Sequence, residues 1–183
     1  MRPTQGTFVA LLRGINVGGK NLLPMKDTLS MFEKAGCSSV RSYIQSGNIV
    51  FVAPSAMARR IPALIGGAIE SAFALRVPVL VRSRAEMTAI ANDNPLLAAG
   101  ADPTHLHVVF LAELPARTEA EGLDPNRSPP DAFVLAGREI YLSCPNGVAR
   151  TKLSNAYFDS KLRTISTERN WRTVLKLADM AGR

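Results

Sequence analysis

Apolar residues run together from Phe8 to Leu12 and stop at the charged Arg13, which predicts a strand over residues 7–13. Met25, Leu29 and Phe32 then recur at helical spacing after Pro24, and Gly36 supplies a stop, so residues 24–35 read as a helix. Two short strands follow at 40–45 and 48–52, joined through Ser46-Gly47, where Gly47 and Asn48 can take positive φ. Met57, Ile61, Leu64, Ile65, Ala68, Ala72 and Leu75 again hold the helical period, with the regular part starting near Pro62. Residues 77–82 form a strand whose Pro78 puts it at a sheet edge or in its own first turn. The order β-α-β-β-α-β is ferredoxin-like, and it predicts a four-stranded antiparallel sheet over residues 7–82 with two helices on one face.

Ser83 and Glu86 have capping-box spacing, which predicts a short helix to about residue 92, ending before Asn94-Pro95. The pattern then restarts with a strand at 104–112, a short helix at 115–121, and a hairpin of residues 132–136 and 139–143 turning at Gly137-Arg138. Two helices, about 152–162 and 168–180, close the chain with no terminal strand. In the last helix Trp171, Val174, Leu175 and Ala178 make the expected buried stripe, with Arg169, Arg172 and Lys176 opposite. The fold class is therefore α+β: a ferredoxin-like β-α-β-β-α-β subdomain over residues 1–84, then a second, partial β-α-β-β subdomain with C-terminal helices over 85–183. The two can also count as one compact domain.

Composition changes this picture little. The 183 residues are 46% hydrophobic and 20% charged, ordinary for a globular chain, and no apolar run is long enough to cross a bilayer. Residues 1–6 lack the character of a signal peptide, so a cytoplasmic setting without a membrane partner is the expectation. Cys37 and Cys144 stand alone, each reading as a small buried hydrophobe instead of a redox or zinc ligand pair. His105 and His107 alternate on the expected fifth strand but lack further metal ligands, and no histidine stands in plausible relation to Ser46 or Ser143 for a hydrolase triad.

Charge changes it more. Residues 1–84 hold 11 basic and 3 acidic side chains, 85–131 hold 2 and 8, and 132–183 hold 9 and 4. Two basic stretches flanking an acidic middle suit a chain whose ends share an anion-binding face. Gly14 to Lys20 also has the Gly-x-x-x-x-Gly-Lys spacing of a phosphate-cradling loop, but Asn21 replaces the magnesium-holding Ser or Thr, and the helix-starting Pro24 comes four residues too late.

Three stretches, Ala10-Leu11-Leu12-Arg13-Gly14-Ile15-Asn16-Val17-Gly18-Gly19-Lys20, Tyr43 through Phe51 (YIQSGNIVF) and Arg169 through Leu177 (RNWRTVLKL), are similar to the signature of the bacterial family catalogued as domain of unknown function 1697. The likeness runs from about residue 7 to residue 181 and takes in Arg150 through Phe158. Thr151 stands where the family usually has Ser, and Arg172 where it usually has Asn. The resemblance implies two ferredoxin-like subdomains and a family with no established biochemical activity. It supplies no catalytic mechanism and no cofactor.

Ferredoxin-like order places the end of the first strand beside the start of the third, so Arg13, Gly14, Asn16, Gly18, Gly19 and Lys20 are expected to converge with Gln45, Ser46 and Asn48. With Lys152, Arg169 and Asn170 they make up the ligand-binding candidates, and Arg13, Lys20, Lys152 and Arg169 are expected to face one anion-binding cleft. The set is rich in donors and has no evident nucleophile or carboxylate base, which favours holding an anionic small molecule or nucleic acid over cleaving one. Asn, Gln and Ser in turns equally often satisfy nearby backbone. A small metal-independent enzyme acting on a phosphorylated metabolite, with Arg13 or Lys20 stabilising developing charge, is the alternative, as is a module that pairs through an open sheet edge. Aromatics such as Tyr43 and Phe51 could serve an RNA-reading sheet, or face the core.

Overall fold

The computed structural model describes residues 4–183. The chain divides into two compact units, Met1–Thr88 with Lys176–Arg183, and Ala89–Leu175.

The first unit contains β1 (Gln5–Leu12), α1 (Met25–Lys34), β2 (Ser38–Tyr43), β3 (Asn48–Pro54), α2 (Ser55–Ala58), α3 (Ile61–Phe73) and β4 (Val79–Ser83). Its sheet has the order β2-β3-β1-β4, with β1 antiparallel to both neighbours. The expected adjacency of first and third strands is present, in a register that sets Leu11 opposite Asn48. One core joins Ala10, Leu12, Ile49, Phe51 and Ala53 of the sheet to Phe32 of α1 and to Ile61, Ile65 and Ile69 of α3. Phe51 stacks on Phe8, ring centroids 5.7 Å apart, and lies against Phe32 at 5.3 Å. Val9 and Leu11, on the opposite side of β1, are buried too, which is why β1 reads as a continuous apolar run instead of an alternation. The expected second helix is broken into α2 and α3. Pro62 lies in the first turn of α3, where a proline needs no partner for its missing N–H.

Beyond β4 the capping box is realised: Glu86 Oε2 accepts from Ser83 N and Oγ at 2.7 Å, and Ser83 Oγ accepts from Glu86 N at 3.2 Å. It opens α4 (Arg84–Asn92), which is followed by α5 (Pro95–Ala98) and a 3-10 turn at Pro103–His105. Next come β5 (Leu106–Leu111), α6 (Arg117–Glu121), β6 (Ala132–Ala136), β7 (Glu139–Ser143), α7 (Asn155–Leu162), β8 (Ser166–Asn170) and α8 (Trp171–Gly182). The second sheet has the order β6-β7-β5-β8 and is also antiparallel. Val109, Leu111, Ile140 and Leu142 pack there against Leu153, Tyr157, Phe158 and Leu162.

Three expectations need correcting. The second subdomain is not a partial β-α-β-β with only helices after it, because β8 pairs with β5 and completes a fourth strand. Ser166-Thr167-Glu168-Arg169-Asn170 contains no apolar residue, so periodicity could not reveal a strand. Tertiary partners make it one: Asp159 Oδ1 accepts from Ser166 N at 2.8 Å and from Ser166 Oγ at 2.6 Å. Consequently α8 starts at Trp171 instead of Glu168, and its buried apolar positions are Trp171, Val174, Leu177 and Ala181, with Leu175 44% exposed. His105 lies in the 3-10 turn, not beside His107 on a strand.

Candidate functional site

Two residues after β1, the backbone turns back on itself. Asn16 N donates to Asn21 O at 3.2 Å and Lys20 N donates to Val17 O at 3.0 Å, a miniature hairpin closed by a single bridge between Val17 and Lys20. Gly18 and Gly19 at its tip have φ of 57° and 73°, the signs required at both central positions of a type I′ turn. The glycine pair is thus demanded by the turn, and Lys20 N is spent on Val17 O instead of a phosphate. Gly14, Gly18, Gly19 and Lys20 are exposed, and no atom lies within 4 Å of a Cβ built on any of the three glycines.

Asn16 ties this hairpin to the β2–β3 turn. With φ of 53°, its Nδ2 donates to Leu23 O at 2.9 Å and to Gln45 O at 2.8 Å, while its Oδ1 accepts from Leu23 N at 2.8 Å. Asn21 Nδ2 donates to Gly14 O at 2.8 Å. Asn48 is fully buried, its Nδ2 donating to Ser46 Oγ at 3.0 Å and to Tyr43 O at 3.3 Å. Gly47, not Asn48, takes the positive φ, at 77°, shared in this turn with Ile44 at 50°. Leu12 N donates to Gly47 O at 2.8 Å, and a Cβ on Gly47 would stand 2.7 Å from Leu12 Cβ. The two signature stretches therefore converge as expected. Asn16, Ser46 and Asn48 meet mainly backbone and one another, however, while Gln45 points outward with only its carbonyl engaged in this network. Arg13 is half-buried beside them, its N–H donating to Pro78 O at 2.9 Å. Among the described residues Phe51 is core and Tyr43 is half-buried, which removes Phe51 from any base-stacking sheet face.

Lys152, Arg169 and Asn170 belong to the second unit. Lys152 is exposed, and its backbone is bound on both sides: its N–H donates to Ser128 Oγ at 3.0 Å, and its carbonyl accepts from Arg127 Nε at 3.1 Å. Arg127 also lies 4.2 Å over the Tyr157 ring, a cation–π contact. Arg169 Nη1 donates to Thr167 Oγ1 at 2.9 Å and to Glu168 O at 2.6 Å. Burial pulls its guanidinium down to about 10, against the opposing effect of Glu168, and it stays charged at neutral pH. Asn170 caps α8, Oδ1 accepting from Thr173 N at 2.8 Å.

Sequence reasoning missed a cleft of about 520 Å3 in the second unit, lined by Pro103, Thr104, Leu106, His107, Asn170, Trp171, Arg172 and Leu175. His107 Nδ1 lies 2.8 Å from Glu168 Oε1, a close approach that lacks hydrogen-bond alignment. The pair is a cross-strand diagonal, since His107 faces Asn170 in the β5–β8 register and Glu168 stands two residues before Asn170. Only the pairing of an unrecognised strand could have disclosed it.

Burial raises the thiol pKa of Cys37, and it lifts that of Cys144 to about 12 with help from the nearby Asp131 charge, so both stay protonated at neutral pH. Among the described residues, no three His, Cys, Asp or Glu side chains gather as a metal site, and no helix is long and apolar enough to cross a membrane.

No curated protein matches the chain. Among solved structures, the conserved bacterial protein SP0830 from Streptococcus pneumoniae is similar at 21% identity, over 97% of this chain and 99% of that one, with a TM-score of 0.72. That likeness speaks for the fold. The family described as "Protein of unknown function (DUF1697)" matches residues 6–141, a stretch that holds the glycine hairpin, the β2–β3 turn, all but the first residue of the first sheet, β5, β6 and the start of β7, and the chain belongs to that family.

Proposed function

We propose that the first unit binds a phosphate-bearing polymer, a segment of RNA or DNA, through its basic surface and the Lys20 hairpin. The observation that carries this reading is the partition of charge. The first unit holds 13 Lys and Arg against 5 Asp and Glu, net +8, and the second holds 9 against 10, net −1. A basic excess confined to one unit is the electrostatic footprint of a polyanion partner. The form of the hairpin favours a polymer over an enclosed nucleotide. Its glycines serve a projecting type I′ turn, so Lys20 is offered at an exposed tip and not at the bottom of a phosphate cradle. Arg13, half-buried at the base of the hairpin, adds a second cation to this unit.

The strand orders β2-β3-β1-β4 and β6-β7-β5-β8 support reading both units as ferredoxin-like. The proposal places the protein in the cytoplasm, where nucleic acid is plentiful.

Fluorescence anisotropy with labelled single-stranded and duplex oligonucleotides, at about 50 and 200 mM salt, tests the reading. Expected is binding that weakens steeply with salt, and a Lys20→Ala variant whose affinity drops across all sequences while its salt slope shrinks by about 1. Affinity indifferent to both salt and Lys20 would refute it.

A further inference from the structure

We propose that the second unit carries a separate site for a small aromatic phosphate ester of nucleoside monophosphate size, in the cleft between β5 and the start of α8. The site is independent of the polymer-binding surface, since every residue lining the cleft lies within Ala89–Leu175.

At about 520 Å3 the cleft falls within the size range of small-molecule sites. Its chemistry divides into three parts, each answering a different part of such a ligand. Leu106 and Trp171 are buried, and Leu175 is 44% exposed although it belongs to an otherwise well-docked helix. Leu175 thus offers the accessible apolar surface, backed by the buried Leu106 and Trp171, and a ring can cover it. Arg172 is exposed and lines the same cleft. Its planar fork of donors matches a phosphate, and the Asn170 side-chain amide stands next to it in the chain, with its oxygen already occupied by Thr173 N.

The third part is His107. Its Nδ1 lies 2.8 Å from Glu168 Oε1, and the imidazole itself stands in the lining of the cleft. A polar imidazole inside a half-apolar cleft asks for a hydrogen-bonding partner, and a sugar hydroxyl, donor and acceptor at once, supplies one. The carboxylate that would repel a phosphate is the one turned to His107, and Arg172 is the cation that remains to receive it. Ring, hydroxyl and phosphate together specify the nucleotide class more closely than any one of the three.

Trp171 is the chain's single tryptophan and stands in the wall of the cleft, so its emission reports occupancy. Adenosine and uridine 5′-monophosphate are titrated into the full chain, with adenosine as the uncharged counterpart, and the affinities are checked by calorimetry. A saturable change in Trp171 emission is expected, with a Kd below about 1 mM, which corresponds to about −4 kcal/mol. Adenosine should bind at least about tenfold more weakly than its monophosphate, and Arg172→Gln should erase that difference at an unchanged melting temperature. Lys20→Ala should leave the titration as it is. No saturable response to either monophosphate, equal affinity for adenosine, or an affinity that follows Lys20 in place of Arg172 would each overturn the proposal. Failure of oligonucleotide binding at the first unit would not touch it.

Discussion

Replacing Asn16 by alanine asks whether a signature residue of the glycine hairpin holds the fold or holds a ligand. The side chain makes three hydrogen bonds of 2.8 to 2.9 Å, two to Leu23 and one to the Gln45 carbonyl, and its backbone sits at φ 53°. Each bond contributes about 0.5–1.5 kcal/mol net, and the half-exposed setting lets water recover part of that, so their joint loss costs about 1.5–3 kcal/mol. Alanine in the left-handed region adds about 1 kcal/mol, since it lacks the local hydrogen bonding that eases Asn there. The first unit of Asn16→Ala should therefore lose about 2–4 kcal/mol, which in urea moves its midpoint down by about 1 M or more at the usual slopes. Asn16→Gly loses the same bonds without the backbone cost and should recover about 1 kcal/mol. Far-ultraviolet circular dichroism against urea, read beside oligonucleotide anisotropy in the folded baseline, separates the roles. A loss below about 0.5 kcal/mol for alanine, or no gain on going from alanine to glycine, would refute the structural reading of this network.

Other substitutions probe the rest of the chain. Gly47→Ala places a Cβ 2.7 Å from Leu12 Cβ at a φ of 77°, so it should destabilise by about 2 kcal/mol or more in the same urea assay. Trp171→Ala removes a side chain only 4% exposed and should cost about 3–5 kcal/mol, read from the melting temperature. Both cysteines should resist a thiol-reactive dye in the native protein and react fully in denaturant, which absorbance counts directly. Cys144 also predicts a pH dependence. Its thiol is raised from 9.0 to about 12 in the folded chain, so between those values the unfolded state releases a proton that the native state keeps. Its contribution is complete below pH 9.0 and lost as pH rises towards 12, and Cys144→Ala should flatten that part of the stability curve.

The sequence by itself determined the elements that carry their own local signal. β1 and β3 announce themselves as apolar runs, α1 and α3 by their period, α4 by the Ser83–Glu86 box, and the β6–β7 hairpin by Gly137-Arg138 between two short apolar runs. It also determined the meeting of Arg13–Lys20 with Gln45–Asn48, because connection order alone makes the first and third strands neighbours. Tertiary structure decided what depends on partners distant in the chain. Ser166–Asn170 is a strand because β5 supplies a free edge and Asp159 receives Ser166, and nothing within those five residues favours that over a helix start. The same pairing brought Glu168 to His107 and opened the cleft beside Trp171. The polar residues of the signature look alike in sequence whether they serve ligand or backbone. Only the placement of acceptors such as Leu23 O and Gln45 O showed that the side chain of Asn16 is engaged within the fold, since a hydrogen-bonding group takes whichever partner three-dimensional packing puts within reach.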